Sequence, residues 1–183
     1  MVFAGYYKAP ELTAQTVIDG WLHTGDVGVM REGQVRIIDR KKDVIITSGG
    51  KNLSPSEIEN AVKASPYIKE CIVIGDGRKY VTALIQIDYE NAAKWAEQKG
   101  LAFTTFRSLA ENPAVVKLID EEVREANEGL APVEQVKKFT LLTKELDHDD
   151  GEVTATMKVR RASITQKFAA EIEALYRERE TAA

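Results

Sequence analysis

The order of strand-like and helix-like segments after residue 43 constrains the fold of this chain most strongly. Short apolar runs alternate there with stretches of helical periodicity, in the order β, α, β, β, α, α, β, α. The predicted strands lie at 44–46, 70–75, 80–88 and 136–143, and the predicted helices begin at Ser54, cover 89–129 in at least two pieces broken near Gly100 and Pro113, and run from about Arg160 to Arg179. This order indicates an α+β domain in which a short antiparallel or mixed sheet is flanked by helices.

A β-hairpin is predicted ahead of this domain. Two strand-like runs, 26–31 and 34–39, flank Glu32-Gly33, a short turn whose glycine suits a hairpin. A short helix is expected at 10–18, where Pro10 is well placed in the first turn.

A cluster of charged residues, Asp39-Arg40-Lys41-Lys42-Asp43, separates the hairpin from the next apolar run. A charged segment of this kind is solvated and does not belong to a core, so it suits a boundary or a hinge. We therefore expect two domains, one of residues 1–40 and one of residues 41–183.

The composition is that of a globular protein and argues against several classes. Of the 183 residues 30% are charged, and the net charge of −4 argues against a general nucleic-acid binder, which would carry a basic surface. No apolar stretch approaches the roughly 20 residues of a membrane span. The single cysteine, Cys71, lies in an apolar run and is expected to be buried and reduced. One cysteine excludes an intrachain disulfide framework, which fits a reducing compartment, and we expect a cytoplasmic protein.

Polar residues that could carry chemistry concentrate in three segments, 23–26, 39–52 and 154–161. An aspartate beside a glycine turn can accept hydrogen bonds from the two hydroxyls of a ribose. An arginine offers a planar set of donors to ribose or phosphate. A lysine on a loop supplies a point charge to a developing phosphate or carboxylate anion.

None of these segments is specific by itself. The run 48–51, Ser-Gly-Gly-Lys, lacks the four-residue spacer between glycines of a Walker loop. The acidic run 147–150 has metal-ligand residue types without the spacing of a calcium loop, so a solvated loop is the better interpretation and no metal site is predicted. His23 suits either a general base or a hydrogen-bonded structural histidine.

The order and combination of three motifs point to a family. Residues 20–26 (GWLHTGD), 39–55 (DRKKDVIITSGGKNLSP) and 57–59 (EIE) resemble the C-terminal motifs of the adenylate-forming superfamily. That superfamily contains acyl- and aryl-CoA synthetases, peptide-synthetase adenylation domains and firefly luciferases. The resemblance covers the chain from about residue 5 onward.

The resemblance implies roles for three residues in nucleotide chemistry. Asp26, in the Thr-Gly-Asp motif, and Arg40, in the Asp-Arg-x-x-Asp motif, would bind the ribose of the nucleotide. Lys158 would steady carboxylate and phosphate charge in the adenylation step. In the commonest form of the family, glycine precedes that lysine, whereas Met157 occupies the position here.

The resemblance also implies that residues 41–183 form a small lid domain that rotates between two half-reactions. Lys42 would be the hinge. Ser48, Gly49 and Gly50 would then swing into the active site and line the channel for the pantetheine arm of CoA, where glycine lets the backbone approach a ligand closely.

The terminal motif, 154–161, resembles the long-chain fatty-acyl branch of the family, and the helical insert between Asp88 and Val136 points the same way. The implied reaction converts a fatty acid and ATP, with Mg²⁺, to an acyl-adenylate and pyrophosphate. CoA then gives acyl-CoA and AMP. We expect neither a nucleic-acid partner nor a transmembrane segment, and peripheral contact with a membrane through the full-length enzyme stays open.

The Ser/Thr/Gly-rich phosphate loop of the family's large N-terminal domain has no counterpart in these 183 residues. Residues 1–38 resemble the tail of that large domain. The chain is therefore predicted to be a lid fragment that is inactive alone, holds no bound ligand, and has its own missing N-terminal domain as partner. The alternative is a non-catalytic module of the same fold that docks CoA or a protein.

Overall fold

The chain folds as two compact units, Met1–Val44 and Ile45–Ala183, in a computed structural model that describes residues 3–177. The junction, between Val44 and Ile45, lies one residue after the charged cluster 39–43. The long unit contains most of the predicted α+β elements and the short unit contains the predicted hairpin.

The first unit is built around an antiparallel hairpin. Its elements are α1 (Pro10–Thr16), β1 (Val17–Ile18), β2 (Trp21–Leu22), β3 (Asp26–Arg31) and β4 (Gln34–Arg40). Glu32 and Gly33 both have positive φ, 50° and 77°, as a two-residue type I′ turn requires, and this turn fixes the pairing of β3 with β4. The predicted hairpin is thus confirmed. The predicted helix ends two residues early, because Val17–Ile18 pair with Trp21–Leu22 instead.

The second unit contains the remaining elements. In chain order they are β5 (Ile45–Ile46), β6 (Asn52–Leu53), α2 (Pro55–Val62), β7 (Ile68–Ile74), β8 (Val81–Ile87), α3 (Tyr89–Gln98), α4 (Phe106–Ala110), α5 (Pro113–Glu128), β9 (Val136–Leu141), α6 (Arg161–Lys167) and α7 (Ala169–Tyr176). The sheet has the order β7-β8-β9, with β8 antiparallel to β7 and parallel to β9. The predicted mixed sheet flanked by helices is confirmed, as are the helix breaks near Gly100 and Pro113.

The central strand β8 divides the core into two layers. Ala83, Ile85 and Ile87 belong to a cluster formed with α2 to α5, whereas Leu84 belongs to a second cluster formed with α6 and α7. Successive side chains of a strand point to opposite faces, so β8 contributes apolar side chains to both clusters. The sheet therefore lies between two helical layers.

The C-terminal helical region corrects one prediction. A single helix from about Arg160 to Arg179 was expected, but α6 and α7 are separated at Phe168, whose φ of −102° and ψ of 28° leave the helical region. The ring of Phe168 packs in the same core cluster as Ile164 and Ile172. Apolar spacing thus continues through the break, which is why periodicity does not reveal it. The predicted end at Arg179 lies outside the described residues.

Candidate functional site

The hairpin of the first unit brings Asp26 and Arg40 together. Their Cα atoms are direct partners across β3 and β4, and Arg40 Nε lies 3.0 Å from Asp26 Oδ1. A β-bulge beside this pair shifts the register of the two strands: Val27 pairs with Asp39, but the next residue, Gly28, pairs with Ile37. A carboxylate and a guanidinium therefore lie side by side at one end of the hairpin.

Backbone hydrogen bonds fix this end of the hairpin. The Asp26 amide donates to Thr24 Oγ1 at 3.1 Å, and the Lys41 amide donates to Gly25 O at 2.7 Å. The Arg40 amide donates to Asp39 Oδ1 at 2.8 Å. The side chains of Arg40 and Asp26 nevertheless keep 59% and 27% of their surface exposed, so both can reach a ligand.

Lys42 lies in a turn at the end of the first unit. The amides of Asp43 and Val44 both donate to Arg40 O, at 3.0 and 3.2 Å, and Lys42 is exposed between them. His23 is also exposed, and its backbone amide donates to Thr16 O at 2.8 Å.

The glycine loop, residues 48–50, connects β5 to β6 in the second unit. Its base is closed by three bonds: the Thr47 amide to Lys51 O at 3.0 Å, the Gly50 amide to Thr47 O at 2.8 Å, and the Lys51 amide to Thr47 Oγ1 at 3.1 Å. Gly50 has a φ of 72°, which glycine adopts without steric cost. Ser48, Gly49 and Gly50 are exposed, so the backbone of the tip is open to a ligand.

Lys158 lies on a tight turn between the bridged residues Val153 and Val159. Thr154 organises this turn: its amide donates to Lys158 O at 2.8 Å, and its Oγ1 accepts from the Lys158 amide at 3.0 Å. Met157 has a φ of 60°, the left-handed region that glycine adopts most easily. The methionine therefore keeps the backbone conformation that glycine would give at this position.

A buried ion pair, not predicted from the sequence, anchors the chain just after Lys158. Arg161 Nη2 lies 2.6 Å from Glu59 Oε1, and Arg161 Nη1 donates to Val73 O at 2.8 Å. Glu59 Oε1 also accepts from the Val73 amide at 2.9 Å. Burial raises the pKa of the Glu59 carboxyl, and Arg161 opposes that rise. The sequence feature that could have indicated this pair is Glu59 itself, a charged residue next to Ile58 on the buried side of α2.

A second unpredicted network surrounds the fully buried Glu152. Lys144 Nζ lies 3.0 Å from Glu152 Oε2, Lys167 Nζ lies 2.6 Å from Glu152 Oε1, and the Asp147 amide donates to Oε2 at 2.9 Å. Both lysines also pair with Asp150. Burial opposes the ionisation of Glu152, but Lys167, the Asp147 amide and Lys144 together hold its pKa below the usual value. Lys144 and then Lys167 lower the pKa of Asp150 as well.

The acidic run 147–150 is thus only partly the solvated loop that was expected. Asp149 has 96% of its side chain exposed, whereas Asp150 joins the lysine network. Within residues 3–177, no three histidine, cysteine, aspartate or glutamate side chains gather in a way that could hold a metal ion.

Cys71 is free and buried in β7, as the sequence predicts, and burial raises the pKa of its thiol.

Among residues 3–177, no helix has the length and apolar character needed to cross a bilayer. Nor does any hydrogen bond or ion pair of the described residues join Lys158 to the glycine loop.

A family model for the C-terminal domain of AMP-binding enzymes matches residues 42–180. This chain belongs to the AMP-binding enzymes. The matched region starts at Lys42 and includes the glycine loop and Lys158, whereas Asp26 and Arg40 precede it.

Two curated relatives of this AMP-binding C-terminal domain are both named as long-chain-fatty-acid–CoA ligases. The chain is 38% identical over 178 residues to the long-chain-fatty-acid–CoA ligase FadD15 of Mycobacterium tuberculosis, with 96% of the chain and 30% of the relative covered. It is 36% identical over 180 residues to the long-chain-fatty-acid–CoA ligase 1 of Homo sapiens, with 96% and 26% covered. The chain thus spans less than a third of the length of either relative.

A solved structure shares the fold. The adenylation domain of a carboxylic acid reductase from Segniliparus rugosus, in complex with AMP and a co-purified carboxylic acid, superimposes with a TM-score of 0.76 and 27% identity. The match covers 94% of this chain and 26% of that one. The α+β fold of the C-terminal domain of adenylate-forming enzymes is therefore confirmed.

Proposed function

We propose that this chain is the C-terminal lid segment of a long-chain fatty-acid–CoA ligase. The ligase activates a fatty acid with ATP and Mg²⁺ to an acyl-adenylate, and then transfers the acyl group to CoA. The observation that carries the proposal is the pairing of Asp26 and Arg40, two candidate ribose ligands, directly ahead of an AMP-binding C-terminal domain. The names of the curated relatives support the substrate class.

The Asp26–Arg40 pair is suited to ribose. A carboxylate accepts hydrogen bonds from both hydroxyls of a vicinal diol, and a neighbouring guanidinium donates to ribose or phosphate oxygens. The ion pair holds both groups in place before a nucleotide arrives, which reduces the entropy that binding must pay. The solved relative that holds AMP supports a nucleotide as the ligand.

The lid is proposed to turn at Lys42. This residue lies in an exposed turn two positions before the end of the first unit, so a rotation there would disturb no core packing. One orientation of the lid would present Lys158 to the carboxylate and the α-phosphate during adenylation. The other would present the open backbone of Ser48, Gly49 and Gly50 to the pantetheine arm of CoA.

The first unit exposes an unusual amount of apolar surface. Its exposed large side chains include Tyr7, Trp21, Met30, Val35 and Ile37. Met30, Val35 and Ile37 share one face of the β3–β4 hairpin, and an exposed apolar face of this kind is typical of an interface. We propose that it packs against a large N-terminal domain that carries the phosphate loop and the acyl pocket, so the present chain is inactive alone.

Lys158 provides the test of this assignment. In the full-length ligase, Lys158→Ala should slow acyl-adenylate formation by about 10²–10³, the usual cost of removing one donor that stabilises transition-state charge. Attack of CoA on a supplied acyl-adenylate should be spared, because the lid then has its other orientation. Single-turnover rates of the two half-reactions, measured separately, check both expectations.

The matched control is Lys117→Ala, which removes an exposed lysine on α5 and should leave both rates unchanged. Equal slowing of the CoA step would show that Lys158 does not act in adenylation alone. Unchanged rates of both steps would contradict its catalytic role altogether.

A further inference from the structure

The glycine loop is fastened to a second turn, residues 76–79, which connects β7 to β8. The Ile46 amide donates to Asp76 Oδ1 at 3.0 Å, and the Gly77 amide donates to Ile46 O at 2.8 Å. The Ser48 amide donates to Arg78 O at 2.9 Å. Three hydrogen bonds thus run between segments that are about 30 residues apart in sequence.

These bonds matter because the strands of the loop are short. β5 and β6 have two residues each, and so small a pair of strands is not stable by itself. The base of the 76–79 turn also packs closely against β5, because a Cβ added to Gly75 would lie 3.2 Å from Ile45 Cγ2. The position of the loop is therefore set by the turn beside it.

The turn is itself held from the other side by α7. The guanidinium carbon of Arg78 lies 4.6 Å from the centre of the Tyr176 ring, and the same guanidinium pairs with Glu173. The Tyr176 hydroxyl donates to Ile74 O at 3.0 Å and accepts from Thr82 Oγ1 at the same distance. The helix thus fixes the turn, and the turn fixes the loop.

We propose that Asp76 is a positioning residue for the CoA step, acting through the glycine loop rather than by contact with substrate. The inference rests on the proposed function of that loop. The tip contains two glycines, so its conformation must be imposed from its base. A misplacement of about 1 Å at a reacting group can cost 10²-fold in rate. Of the three hydrogen bonds between the glycine loop and the 76–79 turn, only the bond to Asp76 Oδ1 uses a side chain.

Two substitutions at Asp76 distinguish loss of this hydrogen bond from any other effect of changing the residue. Asp76→Ala removes the acceptor for the Ile46 amide, whereas Asp76→Asn keeps an oxygen in the same place. Asp76 is exposed, so neither change disturbs the core. The first readout is hydrogen exchange of the Ile46, Ser48 and Gly77 amides in the 183-residue chain. The second is the pair of half-reaction rates in the full-length ligase.

Asp76→Ala should reduce the exchange protection of these amides by about fivefold, the factor that one hydrogen bond of ordinary strength represents. The CoA step should slow by about the same factor with a raised KM for CoA, adenylation should be unaffected, and Asp76→Asn should restore protection and rate. Unchanged exchange in Asp76→Ala overturns the proposal, whatever the enzyme does. Faster exchange with an unchanged CoA step overturns the positioning role, while the ligase assignment stands or falls separately on the Lys158 test.

Discussion

Met157 shows how a single backbone conformation links this chain to its family. The residue is exposed, adopts a φ of 60° and precedes the proposed catalytic lysine. A Cβ in the left-handed region costs roughly 1–2 kcal/mol, and glycine avoids that cost. The family's usual glycine and the methionine found here therefore give the same turn, with the methionine under backbone strain.

This strain can be measured by comparing two substitutions. Met157→Gly should have a free energy of unfolding about 1 kcal/mol higher than Met157→Ala, because both remove the exposed side chain and only alanine keeps the Cβ. Urea unfolding followed by Trp95 fluorescence, in a Trp21→Phe background, reports on the second unit alone. The same pair at Thr156, which has no positive φ, should rank in the opposite order. Equal stabilities of the two Met157 variants would contradict the left-handed conformation.

At this residue scale the sequence proposes candidate side chains, but it does not show where they lie. Asp26 and Arg40 were singled out by motif, and the Glu-Gly turn predicted their hairpin. The bulge that places them opposite each other has no local signal, because it depends on the pairing of both strands. Glu59 and Arg161 lie within two of the motifs, 57–59 and 154–161, but their contact joins segments about 100 residues apart and needs the folded sheet between them.

At the scale of elements, the loop that contains Glu152 is tied to α6 by charge. The pKa values of Glu152 and Asp150 are both held below their usual range by Lys144 and Lys167. The unfolded chain therefore takes up protons on these carboxyls at a higher pH than the folded one does. The stabilisation is fully present above the unfolded pKa, about 4 for a carboxyl, and is lost as pH falls through the lower folded values.

Glu152→Gln should make this pH dependence visible. At pH 7 it should lower the free energy of unfolding by about 2 kcal/mol, the usual value for hydrogen bonds to a charged group. The difference from wild type should shrink as pH falls below about 4. Asp149→Asn, at an exposed neighbouring carboxyl outside the lysine network, should show no such trend. A difference that stays constant from pH 7 to pH 3, measured by the same urea unfolding, would contradict the account.

Elements were predicted well where periodicity or a turn residue marks them. The three strands of the main sheet and the helix breaks near Gly100 and Pro113 follow from apolar runs and from glycine and proline. The break at Phe168 was missed, because the apolar side chains on both sides of it face one core cluster. A backbone that bends while its apolar stripe continues leaves no trace in hydrophobic spacing.

At the scale of the whole molecule, the two units differ in whether each has a buried apolar core of its own. The second unit has a sheet covered on both faces, with its own core. The first has no large fully buried apolar residue among those described and exposes large apolar side chains. This contrast supports the proposal that residues 1–40 complete a larger domain and that residues 41–183 are its lid.

The central claim is tested most directly by fatty-acid-dependent exchange of pyrophosphate into ATP. The assay should be run on the 183-residue chain and on the full-length protein, under the same conditions. The account predicts exchange by the full-length protein and none above background by the chain alone, because Lys158 needs a phosphate loop and an acyl pocket to act on. Exchange by the chain alone would contradict its role as an incomplete lid, and no exchange by the full-length protein would contradict the ligase assignment.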